Sequence, residues 1–228
     1  MSALLAGCQA VQPTQTSTQV RVIDASPDAP GLDVYANSGA LAYNLGFGTV
    51  TSYVGLASGV YTITADTAGS KQVQTSAKAT VVTGSQYTIL IGNLSSDLQA
   101  LVLQDQAQAA PSGQVALRFL DEATQVAPMD VYLVPSGAKL TSVAPVLTNI
   151  SFPSNSGYVN VPSGTYTLVL VPTGTVPTST TVATYTGSQV SYPGGSATTV
   201  VLLDQQLVTT PGLQVISVPD YRSPTATS

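Results

Sequence analysis

A short pattern near the start of the chain occurs twice, and this duplication limits the fold more than any other feature of the sequence. Residues 20–35 read VRVIDASPDAPGLDVY, and a degraded copy occupies residues 117–132, where LRFLD leads to MDVY. Arg21 recurs as Arg118, 97 positions later, and Asp33 recurs at the same spacing as Asp130. In both copies, alternating apolar and polar residues flank a loop, which is typical of two strands joined by a tight connection.

Later segments repeat in the same order. SGVYTI at residues 58–63 returns as SGTYTL at 163–168, residues 84–89 match 195–200, and residues 98–105 match 213–220. The spacing grows from 97 to 105, 111 and 115 positions, so we infer insertions in loops, which tolerate them. We therefore predict an all-β fold of two tandem immunoglobulin-like Greek-key β-sandwiches.

The repeat also sets the expected boundaries. We predict a truncated lipoprotein signal and tether (1–18), a first sandwich (19–106), a linker (107–113), a second sandwich (114–221) and a tail (222–228).

The composition excludes several classes of function. Of the 228 residues 43% are hydrophobic and only 7% are charged, and the formal net charge is −5. The six Lys and Arg residues are scattered singly, so no basic stripe exists for nucleic acid. Because the chain contains no His and one Cys, it has no Ser-His-Asp system, no imidazole metal site and no intrachain disulfide. We expect no cofactor.

The single cysteine lies in LAGC (residues 5–8), which resembles the lipobox of bacterial lipoproteins. In that motif the cysteine, here Cys8, is acylated and becomes the mature N-terminus. Residues 1–4 supply neither a charged start nor an apolar core of about 7–15 residues. Either the true start lies upstream or the match is chance. On the lipoprotein interpretation, the chain is extracytoplasmic and anchored to the bacterial envelope, at the outer membrane or the cell surface.

The wider sequence is similar to a known family. RVIDASPDAP (21–30), LDVY (32–35), FGTV (47–50) and SGVY (58–61) resemble the bacterial domain of unknown function 4397 family, whose opening runs R-V-x-H-A-S-P-D-A-P-x-V-D-V-Y. Asp24 stands where the family has His. The resemblance implies an exported, often repeated β-sandwich on the cell envelope, and no known reaction.

Three carboxylates, those of Asp24, Asp28 and Asp33, crowd the first loop. Hard oxygen ligands of this kind hold Ca²⁺, although the spacing is not that of an EF-hand. The alternative is a structural loop, in which Asp24 and Asp28 accept bonds from backbone N–H groups.

The recurrence of arginine and aspartate predicts two structural ion pairs. We expect Arg21 to bind Asp33 and Arg118 to bind Asp130, fixing the register of two neighbouring strands. If such a pair is partly buried, removing one partner costs about 3–5 kcal/mol. If it is exposed, the pair contributes about 0–1 kcal/mol.

Catalytic patterns are weak. Ser136 and Lys139 fit the S-x-x-K spacing of serine acyl enzymes, but Pro135 and Gly137 predict a turn at that point. Glu122 is the only Glu, and no Trp is present as a sugar platform. We therefore expect no catalytic residue.

The expected function is a non-catalytic, envelope-anchored surface module for adhesion, scaffolding or ligand capture, whose partner is an envelope protein or glycan. The alternatives are a structural spacer without a specific ligand and a polysaccharide-active enzyme that uses Asp carboxylates.

Overall fold

The computed structural model describes residues 18–205 and 212–222, and these residues are almost entirely β-strands. The first half contains β1 (Thr18–Asp24), β2 (Leu32–Ala36), β3 (Gly39–Leu45), β4 (Val54–Leu56), β5 (Gly59–Thr67), β6 (Val73–Val81), β7 (Gln86–Gly92) and β8 (Gln99–Asp105). The second half contains β9 (Gln114–Glu122), β10 (Met129–Pro135), β11 (Leu147–Ile150), β12 (Ser154–Pro162), β13 (Gly164–Pro172), β14 (Tyr185–Tyr192), β15 (Ala197–Asp204) and β16 (Leu213–Tyr221). Two single 3₁₀ turns lie at Ser95–Asp97 and Leu140–Ser142.

Each half forms two four-stranded sheets, so the all-β class and the two sandwiches are confirmed. The strand orders are β4-β1-β7-β8 and β3-β2-β5-β6 in the first half, and β12-β9-β15-β16 and β11-β10-β13-β14 in the second. We call β4-β1-β7-β8 and β12-β9-β15-β16 the inner sheets and the other two the outer sheets. β1 runs parallel to β7, and β9 runs parallel to β15. An immunoglobulin constant domain pairs its first two strands, whereas here they belong to different sheets, so the likeness to that fold is one of architecture.

The alternation of side chains along the central strands creates two buried faces. Val20 and Val22 of β1 point into the core of the first sandwich, together with Ile89 and Ile91 of β7. The intervening residues of these strands point away from that core. They are nevertheless buried, because the inner sheet of the second sandwich covers them.

The two inner sheets therefore pack against each other. Their shared apolar cluster contains fully buried residues from both halves: Ile23, Ala25, Leu90, Leu120, Val201 and Leu203. Partly buried side chains surround it, among them Phe47 and Leu103 from the first half and Ile216 from the second. The duplicated units thus form one continuous body.

The linker is fixed to the second sandwich. The N–H of Gln106 donates to the hydroxyl of Tyr158, and the N–H of Ala110 donates to the carbonyl of Gly195. Ala110 is buried against Ala116 and Ala197. These contacts hold the short connection against the second sandwich.

The inserted residues of the second copy cover its outer sheet. Segments 136–146 and 173–184 carry Leu140, Val143 and Ala183, which pack on a buried apolar patch of β10 and β13. That patch consists of Tyr132, Val134, Val169 and Val171. The corresponding positions of the first copy, at spacings of 97 and 105, are Tyr35, Asn37, Thr64 and Asp66. The outer sheet therefore has an apolar outward face in the second copy, where the inserted segments cover it, and polar residues at three of the four corresponding positions in the first copy.

Candidate functional site

The most organised polar site is a closed ring of six buried side chains between the inner sheets. It contains Arg21, Thr88, Asp105, Arg118, Thr199 and Asp220, and we call it the six-residue ring. Arg21 binds the carboxylate of Asp220, and Arg118 binds that of Asp105 at 2.5 Å. Each arginine therefore pairs with an aspartate of the other sandwich.

Two threonines close the ring. The hydroxyl of Thr88 accepts a bond from Nε of Arg21 at 2.9 Å and donates to Asp105 at 2.7 Å. Thr199 repeats this arrangement. Its hydroxyl accepts from Nε of Arg118 at 3.0 Å and donates to Asp220 at 2.7 Å.

A tyrosine covers each arginine. The guanidinium carbon of Arg21 lies 4.8 Å from the ring centre of Tyr53, and that of Arg118 lies 4.8 Å from Tyr158. Such contacts are attractive, because the ring face is negative. The hydroxyl of Tyr53 donates to Asp105 at 2.6 Å, and that of Tyr158 donates to Asp220 at 2.8 Å. Burial, reinforced by the nearby carboxylates, raises the pKa of both phenols, which stay protonated as donors.

The ring is electrically neutral and almost dry. Arg21 and Arg118 are each 2% exposed, and Asp105 and Asp220 are 4% and 5% exposed. Burial raises the pKa of Asp220, an effect that Arg21 opposes. Two charges of each sign with complete hydrogen bonding meet the condition under which buried ions are tolerated. The six-residue ring therefore joins the two sandwiches and fixes their relative orientation, and we call this connection the lock.

The sequence repeat generates this lock. Arg21 and Arg118 are 97 positions apart, Tyr53 and Tyr158 are 105 apart, and Thr88 and Thr199 are 111 apart. The fourth spacing, 115, separates Asp105 from Asp220. These are the spacings at which the surrounding segments repeat, so every member has a counterpart related by an approximate two-fold axis.

The structure corrects the predicted ion pairs. Arg21 does not bind Asp33, because β1 and β2 belong to different sheets and Arg21 faces the second sandwich. The predicted pair of Arg118 with Asp130 fails for the same reason. The sequence predicts that both arginines are paired, and they are, but their partners lie in the last strand of each copy.

Asp33 and Asp130 instead bind backbone amides. Asp33 accepts from the N–H groups of Asn44 at 2.8 Å and Gly69 at 3.0 Å. Asp130 accepts from those of Asn149 at 2.8 Å and Gly174 at 3.1 Å. Each carboxylate thus binds the backbone of the neighbouring edge strand and of one loop.

The other two carboxylates of the first loop serve separate segments. Oδ1 of Asp24 accepts from the N–H of Ser26 at 3.0 Å, while Asp28 accepts from both the N–H and the hydroxyl of Ser95. In the second copy the same tie is reversed, since Asp204 accepts from Thr124 and Gln125. Over residues 18–205 and 212–222, no group of three Asp, Glu, Cys or His side chains is placed to hold a metal ion.

Three buried acids outside the six-residue ring also have raised pKa values. Desolvation raises the pKa of Asp24 to about 7, against the opposing bond from Ser26. Desolvation raises that of its counterpart Asp121 to about 6 and that of Glu122 to about 7, with Asp121 adding to the second shift. Oδ2 of Asp24 and the hydroxyl of Ser26 are buried without a hydrogen-bond partner. A protonated Asp24 reduces the cost of that burial.

Glu122 also marks where the two-fold relationship breaks. A methyl group placed on Gly92 of β7 would overlap the carboxylate of Glu122. The counterparts of Glu122 and Gly92 are Ala25 and Leu203, which lie in the shared apolar cluster. In one pair, Glu122 of the second copy lies against Gly92 of the first. In the corresponding pair, Leu203 of the second copy and Ala25 of the first are both apolar.

The remaining sequence candidates lie elsewhere. Ser136 and Lys139 follow β10 in a turn, in which the N–H of Ala138 donates to the carbonyl of Pro135. Cys8 lies outside the described residues, as does the predicted tether through residue 17 and the end of the chain from residue 223. None of the described helical segments is long and apolar enough to cross a membrane.

Comparison with known proteins identifies the family. The sequence model for the domain of unknown function 4397 (DUF4397) matches residues 18–132 and 135–228. The chain belongs to the DUF4397 family. The first DUF4397 match extends past the linker and through β9 into β10, so the matches divide the chain later than the sheets do.

Other comparisons are less informative. The curated proteins contain no match to this DUF4397 chain. Among solved structures, the chain is similar to the Bacillus anthracis TIE protein, with a TM-score of 0.26 and 10% sequence identity. The likeness covers 90% of this chain and 44% of that one, so the chain spans less than half of that protein's length.

Proposed function

We propose that this DUF4397 protein is a rigid, non-catalytic module displayed outside the cytoplasm from a lipidated Cys8, where it serves adhesion, scaffolding or ligand capture. Its partner is an envelope protein or glycan. Two joined sandwiches hold their exposed loops and strand edges in one orientation.

The six-residue ring is the observation that supports this proposal most directly. A binder whose surfaces are already oriented loses less conformational freedom on association. Four buried charges and a shared apolar cluster fix the relative orientation of two domains that a flexible linker would otherwise leave independent. A fixed orientation of this kind favours a protein that binds a partner with a preformed surface.

The placement of the acids favours a non-catalytic function. The carboxylates of Asp105 and Asp220 are fully hydrogen-bonded inside the ring, and those of Asp33 and Asp130 bind backbone amides of an edge strand and a loop. Asp121 and Glu122 are neighbours on one strand, where successive side chains point to opposite faces. A polysaccharide-active enzyme needs two carboxyl groups converging on a cleft, about 5–10 Å apart.

Anchoring is tested by lipid labelling. The natural gene with its upstream region is expressed in cells fed an alkyne fatty acid, beside a Cys8→Ser variant. We expect label on the natural protein only, and loss of the variant from the membrane fraction. Unlabelled natural protein, or a variant that stays membrane-bound, contradicts the anchor.

Partner binding is tested with the chain from residue 18 onwards, immobilised and exposed to envelope extract. The matched control is the same chain carrying Asp105→Asn and Asp220→Asn, which removes both acids of the ring, used at a temperature at which circular dichroism shows that it remains folded. A partner recovered by the parent and lost or reduced with the control supports a rigid binding module. No partner above background favours the structural spacer instead.

A further inference from the structure

A groove runs along the open side of the second sandwich, between the edge strands β14 and β16. Its volume is about 520 Å³, within the range of roughly 300–1,000 Å³ that small-molecule sites occupy. The residues that matter for its chemistry are Tyr192, Ser196, Thr198, Ser217, Tyr221 and Arg222.

The first sandwich fills the equivalent space. There β6 and β8 approach each other, and Tyr87 is buried between the sheets with 6% of its surface exposed. Its counterpart at the 111 spacing is Thr198, which lines the groove. Val102 of the first core has Ser217 as its counterpart at the 115 spacing. The duplication therefore contains a closed and an open version of one site, in which Thr198 replaces Tyr87 and Tyr192 replaces Val81.

The lining is apolar with hydroxyl groups at its centre. The ring of Tyr192 is buried against the core, and its hydroxyl lies close to Ser217. Pro193 and Pro219 add apolar wall. The hydroxyl of Ser196 donates to the carbonyl of Pro193 at 2.7 Å, and further hydroxyl-bearing side chains line the groove: Ser191, Thr198, Ser217 and Tyr221.

The charge of the groove is positive, in contrast to that of the chain. Arg222 lines it, and among the residues that the structure describes no Asp or Glu does. The chain has a net charge of −5 and only six Lys and Arg residues, two of which are in the six-residue ring. An exposed guanidinium at the edge of an apolar groove attracts a carboxylate or sulfonate.

We propose that this groove binds a small amphipathic anion, with an apolar ring-containing body over Thr198 and Tyr192 and an acidic head group at Arg222. The site is independent of where the protein is displayed, so its failure leaves the display proposal standing, and failure of display leaves the groove standing.

The test uses two fluorescent probes of the same shape and different charge. Anilinonaphthalene sulfonate carries the acidic group, and N-phenylnaphthylamine is its uncharged relative. With the chain from residue 18 onwards, we expect saturable binding of one sulfonate per chain, at least about tenfold tighter than the uncharged probe, equivalent to about 1.4 kcal/mol. Arg222→Gln removes this difference, while Lys139→Gln, which changes an exposed cation outside the groove, does not.

Thr198→Tyr copies the residue of the first sandwich and closes the groove. We expect it to abolish saturable binding of both probes while circular dichroism and the melting temperature stay at the parent values. If this variant fails to fold, Ser217→Phe obstructs the groove from an exposed position. Unchanged binding in a folded blocking variant, or equal affinity of the parent for the two probes, overturns the proposal.

Discussion

Arg21 binds Asp220, its partner 199 positions further along the chain, and the reciprocal contact joins Arg118 to Asp105. Each pair crosses the boundary between the sandwiches. A duplicated domain that kept one arginine and one aspartate on its inner sheet thereby acquired two ion pairs related by a two-fold axis. The linker then only has to keep the copies together, because the interface itself specifies their orientation.

Removing one acid from the ring strands a buried cation. Asp105→Asn deprives Arg118 of its carboxylate and weakens the bonds from Tyr53 and Thr88. We expect the free energy of unfolding to fall by about 3–5 kcal/mol, measured by urea denaturation. Asp97→Asn, a matched change at an exposed residue, should stay within about 0.5 kcal/mol. Equal effects of the two substitutions would show that the ring contributes nothing.

The buried acids predict stability that declines as pH rises. Folding raises the pKa of Glu122 from 4.5 to about 7, so the folded chain keeps a proton that the unfolded chain releases in this range. The resulting stability is complete below pH 4.5 and is lost as pH rises through about 7. For Glu122 it amounts to up to about 3 kcal/mol. Asp24, raised from 3.8 to about 7, acts in the same direction.

Urea midpoints at pH 5 and pH 8 measure this effect. The parent chain should lose stability over the interval, and Glu122→Gln, which cannot ionise, should lose less. Asp97→Asn serves again as the control and should follow the parent. A Glu122→Gln variant with the parent's pH dependence would contradict a protonated Glu122.

The inserted segments of the second copy should contribute to stability through the apolar patch that they cover. Val143→Ala removes two methyl groups from the packing against Val134 and its neighbours, and we expect a loss of about 1 kcal/mol. Val176 lies in the other inserted segment with 81% of its surface exposed. Val176→Ala should therefore leave the unfolding midpoint unchanged, and similar losses in both variants would mean that the cover is not specific.

Sequence patterns predicted the fold better than the site, and strand geometry explains why. The period of two along β1 correctly separates Val20 and Val22 from Arg21. The alternation does not indicate which sheet a strand joins. For this reason the sequence alone predicts an ion pair between Arg21 and Asp33 of β2, which lies in the other sheet. The repeat does indicate the true partners, because Asp105 and Asp220 recur at the spacing of 115 positions just as the arginines recur at 97.

Glu122 was missed as an interface residue for a related reason. Its counterpart, Ala25, is apolar and small, so no repeat of a polar residue drew attention to the position. Only the packing of one inner sheet on the other shows that the carboxylate of Glu122 lies against Gly92. Nothing in the sequence near Gly92 indicates a contact with residue 122.

The contact between Glu122 and Gly92 can be measured with a double-mutant cycle. The backbone of Gly92 is not in the left-handed region, so the effect of Gly92→Ala comes from the overlap of the new methyl group with the carboxylate of Glu122. We expect Gly92→Ala to cost about 1–3 kcal/mol of unfolding free energy in the parent chain, which is the usual range for overpacking. In a chain that already carries Glu122→Ala the same change should cost much less, because the space is vacant. A coupling energy near zero would mean that the two sandwiches are not in contact at this pair. A strong coupling energy would show that Glu122 of the second sandwich packs against Gly92 of the first.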